Sequence, residues 1–232
     1  MATHVISGAG SGIGAVLADR LHGRGDELWL LARSDERASE LREQHPGART
    51  LVADLADVRG LERTLGQADL PDRVDSLLHV AGAVDLAPVA ELDHDRWQQQ
   101  LDVNLTAPAL LTRVLLPALR VARGTVVFVN SGSGLSANPT WSGYAASKFG
   151  LRALADALRG EELENGVRVT TVYPGRTATP MQEKVHAQEG RDYDAARWSD
   201  AGTVAATILH VLDLPADSTI PDVTVRPGPD LA

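Results

Sequence analysis

Hydrophobic positions along the chain follow two periods that take turns. Short apolar runs at 3–7 (THVIS), 27–32 (ELWLLA), 49–53 (RTLVA), 76–82 (SLLHVAG), 124–131 (GTVVFVNS) and 167–175 (VRVTTVYPG) read as strands, with a short last strand VTVR at 223–226. Between them, 13–25, 35–45, 58–68, 94–122 and 144–165 carry helical spacing. LWLL and TVVFV are continuously apolar, as strands covered on both faces are. Strict alternation of the two elements predicts an α/β chain with a doubly wound parallel sheet of about seven strands and helices on both faces. The polar stretch 176–200 breaks the rhythm. It is expected to run over the C-terminal edge of the sheet, where ligands bind in such folds.

Composition narrows the picture. The chain has 232 residues, 44% of them hydrophobic, enough for one domain, 1–232, with a substantial core. No run of about 18 apolar residues suggests a membrane span, and the opening MATHVISGAG lacks the basic and apolar regions of a secretory signal. There is no cysteine, which excludes disulfides and thiolate chemistry. A net charge of −9 argues against nucleic acid or an anionic membrane as partner. A cytoplasmic protein acting on a small molecule, with no metal site, is the expectation.

VISGAGSGIG (5–14) sits between the first strand and the first helix. A G-x-G-x-x-G fingerprint starting at Gly8 needs glycine at position 13, which is Ile13. The other register, Gly8, Gly12 and Gly14, fits, with Gly10 as an accessory small residue. Glycines there let the backbone approach a pyrophosphate, and free N–H groups at the helix start bind anions. In dinucleotide folds an acid at the end of the second strand takes the ribose 2′-hydroxyl. Here Ala32 and Arg33 stand there, and a guanidinium suits a 2′-phosphate, pointing to NADP(H) ahead of NAD(H). Arg37 is a second candidate.

WSGYAASKFG places Tyr144 and Lys148 four apart at the start of a helix, on one face. A free phenol titrates near 10. A cation about 4 Å away contributes up to about 4 kcal/mol at an effective dielectric near 20, so Lys148 is expected to bring Tyr144 into the range of an acid–base catalyst. Ser131 ends the fifth strand, where its hydroxyl suits polarising a carbonyl, with Ser133 and Ser136 as rivals. Asn104 lies inside an otherwise apolar helix. Trp141, Met181 and Trp198 are candidates to line an apolar substrate pocket, and Arg176 is a candidate for an anionic substrate group.

Together these residues resemble the short-chain dehydrogenase/reductase family, over about the whole chain. SGAGSGIG is similar to its T-G-x-x-x-G-I-G, with Ser7 for threonine; Ser11 stands where NADP-preferring relatives often have arginine. ADL, with Asp54 and Leu55, resembles the adenine-contacting segment, and HVAG, with Ala81 and Gly82, the family's N-N-A-G. VN matches at Asn104, Tyr144 to Lys148 is Y-x-x-x-K, and YPGRTAT, with Pro174, Gly175, Thr177 and Thr179, resembles P-G-x-x-x-T. The resemblance implies a Rossmann fold binding NADP(H) and a tetrad of Asn104, Ser131, Tyr144 and Lys148. In it Tyr144 gives the proton, Ser131 positions the substrate oxygen, Lys148 binds the nicotinamide ribose and lowers the tyrosine pKa, and Asn104 holds a water leading to solvent. The implied reaction is hydride transfer to a carbonyl or from a secondary alcohol; an epimerase, a dehydratase or a non-catalytic nucleotide sensor on the same fold is the alternative. His79 and Val80 replace both asparagines of N-N-A-G, so local repacking is expected there. The helical stretches 94–122 and 144–165 resemble the family's dimer faces, implying a homodimer or homotetramer.

Overall fold

The computed structural model describes residues 1–228, so the part of the expected domain at 229–232 lies outside the described residues. In chain order the elements are β1 (Thr3–Ser7), α1 (Gly12–Gly23), β2 (Glu27–Ala32), α2 (Asp35–Gln44), β3 (Arg49–Val52), α3 (Val58–Gln67) and β4 (Ser76–His79). There follow α4 (His94–Leu101), α5 (Ala107–Ala122), β5 (Thr125–Val129), α6 (Ser142–Glu161) and β6 (Arg168–Pro174). The excursion after β6 holds β7 (Thr177–Ala178), α7 (Pro180–Gln188) and β8 (Ser199–Asp200). It leads into α8 (Ala201–Leu212) and β9 (Asp222–Val225).

The main sheet has seven strands in the order β3-β2-β1-β4-β5-β6-β9, every pair parallel. Successive strands are added outward on one side from β1 to β3 and on the other from β4 onward, so the strand order switches between β1 and β4, where a crevice opens at the C-terminal edge. The continuous apolar runs divide between two cores. Val5, Leu77 and Phe128 face one side with Leu61 of α3, Leu115 of α5 and Leu151 of α6. Ile6, Leu78 and Val127 face the other with Leu17 of α1, Leu41 of α2 and Ile208 of α8. Successive strand side chains point to opposite faces, so both must be apolar.

Two sequence expectations change. The stretch 94–122 is not one regular helix: a π-helical turn, Asp102–Thr106, separates α4 from α5. Pro108, in the first turn of α5, has no N–H to give the carbonyl four residues back, that of Asn104, so the regular ladder cannot run through. The stretch is long and apolar enough to cross a membrane by length and composition. Here Leu111, Leu115 and Leu119 of α5 are buried in the core. Helix α8, absent from the reading of the chain, is capped by Asp200, whose carboxylate accepts from the Gly202 amide at 2.7 Å.

Candidate active site

The glycine loop crosses the loop after β4 at close range. Gly8 has φ +76°, and a β-carbon on it would stand 2.6 Å from the Ala81 amide nitrogen. A β-carbon on Gly14 would run into the Gly8 carbonyl. Gly12, at φ +53°, opens α1, and the Thr179 methyl stands 2.9 Å from where its β-carbon would be. Ser11 occupies the N-cap of α1 with its hydroxyl making no capping bond, and the first turn contains no acid. The first-turn amides are thus free to bind an anion, and the absent side chains let the loop pack closely against the loop after β4 and Thr179. These residues fit a dinucleotide pyrophosphate.

Ser7 is buried beneath this cradle and does not line the cavity. Its Oγ accepts from the Val80 and Ala81 amides at 3.2 and 3.3 Å. A hydroxyl on β1 thus holds the loop after β4. His79 turns into the core, with Nε2 2.9 Å from Thr112 Oγ1 and Nδ1 buried without a partner.

A cavity of about 460 Å³ extends from the glycine loop along the C-terminal edge. Gly8, Ser11, Gly12 and Ile13 form one end, with Ala81 and Gly82 beside them. Ser131, Tyr144 and Lys148 form its middle, and Pro174, Gly175, Thr177 and Thr179 its far wall. Trp141, packed edge-on to Tyr144 at 5.8 Å, and Met181 close the remaining side. Arg33, Asp54, Leu55 and Asn104 lie outside the lining. Arg33 is exposed directly after β2 and has no hydrogen-bond or ion-pair partner among the described residues. Asp54 follows β3 and accepts from the Ala56 amide at 2.9 Å. Leu55 packs against the core. Arg37 donates to the Gly10 carbonyl and pairs with Glu40, closing over the glycine loop.

Tyr144 and Lys148 are both buried. Lys148 Nζ donates to the Val129 carbonyl at 2.9 Å and lies 5.7 Å from the Tyr144 ring centre. Burial pushes the phenol up to about 12, the Ser131 side chain pulling against it, and pushes the ammonium down to about 8. The direction is opposite to the expected lowering of Tyr144: withdrawal from water outweighs the Ser131 hydrogen bond. Near neutral pH the pair rests as phenol and ammonium.

Ser131 Oγ accepts from the Ser133 amide at 3.1 Å, leaving its own proton free to donate. Asn130, which the reading of the sequence passed over, braces this hydroxyl. Its side chain accepts from the Ser131 amide at 2.8 Å and donates to the Lys148 carbonyl at 3.0 Å. The signal was present in VNS, a polar residue where β5 gives way to the loop. Asn104 is also fully engaged: Nδ2 donates to the Ala83 carbonyl and Ser147 Oγ, and Oδ1 accepts from the Ala83 amide at 2.8 Å. Both side-chain groups of Asn104 are thus taken up within the protein.

Two expectations about the substrate end change. Trp198 does not line the cavity; it packs against His186 and under Arg176. Arg176 is held bidentately by Glu189 at 2.6 and 2.9 Å. Helix α7 is tied across the cavity: Lys184 Nζ donates to the Val84 carbonyl at 2.7 Å, and Gln188 accepts from the Leu86 amide at 3.2 Å.

The family profile of the short chain dehydrogenases matches residues 2–190, and the chain belongs to that family of NAD(P)-dependent oxidoreductases. An uncharacterized oxidoreductase of Staphylococcus epidermidis is 27% identical over 226 residues, 96% of each chain. An alcohol dehydrogenase of Thermococcus sibiricus complexed with 5-hydroxy-NADP shares the fold at a TM-score of 0.84 and 24% identity, covering 98% of this chain and 97% of the other. A protein assigned to the short-chain dehydrogenases from Escherichia coli CFT073, complexed with NADPH, superposes at a TM-score of 0.85 with 27% identity, over 96% and 95% of the two chains.

Proposed function

We propose that the protein reduces a carbonyl to an alcohol, or runs the reverse reaction, with NADP(H). The observation that carries this reading is one cavity reaching from the glycine cradle to a buried phenol, a buried ammonium and a serine hydroxyl. The nicotinamide, when bound, supplies or takes the hydride. Gly8, Gly12, Gly14 and the first turn of α1 hold its pyrophosphate, and Lys148 its ribose.

Tyr144 is the proton donor. With the phenol pushed up to about 12 it is fully protonated at neutral pH and has a proton to give as the substrate oxygen gains charge. The Ser131 hydroxyl donates to the same oxygen and orients it, an oxyanion-type contact. Lys148, cationic below about pH 8, stabilises the phenolate left behind. Asn104 holds a water that links Lys148 to solvent and returns the proton.

Arg33 supports NADP over NAD: it is an unpaired guanidinium at the edge beside β1, where NAD binding calls for an acid, and a 2′-phosphate takes such a group bidentately. The E. coli neighbour with NADPH agrees with it. Exposed Val121 on α5 and Phe149 on α6 suit a homodimer or homotetramer built on those helices, read by light scattering.

Tyr144→Phe tests the mechanism. Turnover should fall about a hundredfold or more while NADPH affinity stays within a few-fold. Wild-type turnover in that variant would sink the proposal, and equal binding of NAD and NADP by the unmodified protein would sink the cofactor assignment.

A further inference from the structure

The cavity lining contains three cations, Lys148, Arg176 and Arg226, and no acid. The chain as a whole has 31 acidic residues against 22 lysines and arginines, so an acid-free lining runs against its general charge. Lys148 is committed to the Val129 carbonyl and Arg176 to Glu189. Arg226 makes no hydrogen bond or ion pair among the described residues. Its Nη2 lies 3.9 Å from where a β-carbon on Gly132 would stand, one residue from Ser131.

The position is built rather than incidental. Arg226 follows the last residue of β9, whose Val225 is in register with Pro174 of β6. The Val225 carbonyl accepts from the Gly175 amide at 2.7 Å. Pro227 follows, its ring 3.1 Å from where a β-carbon on Gly175 would be. The backbone carrying the guanidinium is thus fixed to the strand that ends beside the cavity, on the side of Ser131 and away from the Gly8–Gly14 cradle.

We infer that Arg226 is a specificity-determining residue and that the substrate is a carbonyl compound, or the matching alcohol, bearing an oxyanion: a carboxylate or a phosphate ester. An always-charged, planar guanidinium with free donors matches either group bidentately. The inference rests on the reductase reading and deepens it.

The test uses the NADPH-loaded protein and matched probes. Pyruvate, acetoacetate and levulinate move the carboxylate stepwise from the ketone, each compared with its methyl ester; dihydroxyacetone phosphate is compared with dihydroxyacetone. Binding is read by calorimetry and turnover by nicotinamide absorbance. At least one anionic probe should bind tighter than its neutral partner by about tenfold or more, the range of a hydrogen-bonded charge pair. Arg226→Gln should collapse that ratio, and Arg226→Lys, which keeps the charge without the fork, should retain part of it. If anionic and neutral probes bind alike, or the ratio survives Arg226→Gln, the inference is overturned. Turnover of neutral ketones without anion preference removes this inference and leaves the reductase. Anions bound through Arg226 without any NADPH oxidation do the reverse.

Discussion

His79 lies flat on Phe128, ring centres 4.8 Å apart and planes 9° from parallel, with no side-chain partner for Nδ1. Burial pushes the imidazole down to about 3. The unfolded chain takes up a proton near 6.5 and the folded one resists it, so this group costs nothing above about pH 6.5. Below that the folded state loses about 1.4 kcal/mol per pH unit, until the imidazole itself titrates near 3. The wild-type melting temperature should therefore fall between pH 7 and pH 5 more steeply than that of His79→Asn. Parallel slopes for the two proteins would show that the core histidine does not govern acid stability.

Lys148 carries the same liability in a higher pH window. Its ammonium, brought down to about 8 from 10.5, is charged and buried at neutral pH, a penalty of about 3 kcal/mol against the unfolded chain. The penalty is full below pH 8 and fades as pH rises toward 10.5. Cofactor-free Lys148→Met should melt higher than wild type at pH 7, with the margin narrowing toward pH 10, and should be inactive. A lower melting temperature for the variant at pH 7 would mean that the bond to the Val129 carbonyl outweighs desolvation.

Arg33 and Arg37 should separate by cofactor. Arg33→Ala is expected to weaken NADPH roughly tenfold or more, the worth of a charge-assisted bidentate contact, and NADH little. Arg37, held by Gly10 and Glu40, should give a smaller discrimination. Fluorescence titration with both nucleotides decides it. An equal loss for NADH and NADPH in Arg33→Ala would contradict a 2′-phosphate contact.

The ties of α7 to the loop after β4 predict a lid effect. Lys184→Ala removes the bond to the Val84 carbonyl and should raise KM several-fold while kcat holds or rises, as expected where lid opening limits turnover. Faster amide exchange confined to α7 would accompany it. A fall in kcat at constant KM would instead place Lys184 in the chemical step.

Much of this was legible in the chain. Gly8, Gly12 and Gly14 are where the backbone has no room for a side chain, and that requirement is local enough to show in sequence. The same holds for Tyr144 and Lys148, whose spacing on one helix brings both to the cavity. What sequence could not show arises between elements. Arg226 reaches the cavity through the alignment of β9 with β6, which joins residues far apart in the chain. Trp198 was a candidate for the pocket but packs against His186 outside it, and Arg176 lines the cavity with its guanidinium taken up by Glu189. The direction of the Tyr144 shift depended on burial, and the spacing of a tyrosine and a lysine says nothing of how much water reaches them. The π turn was half visible: Pro108 announced a break but not its form.

Thr179 faces two ways. Its methyl rests against Gly12, and its hydroxyl accepts from the Gln182 amide at 3.3 Å to begin α7. Whatever settles on the glycine loop therefore settles beside the start of the helix that is tied across the cavity. The two ligands should not arrive at random: nucleotide enters first and leaves last, and product-inhibition patterns should be those of a compulsory sequence.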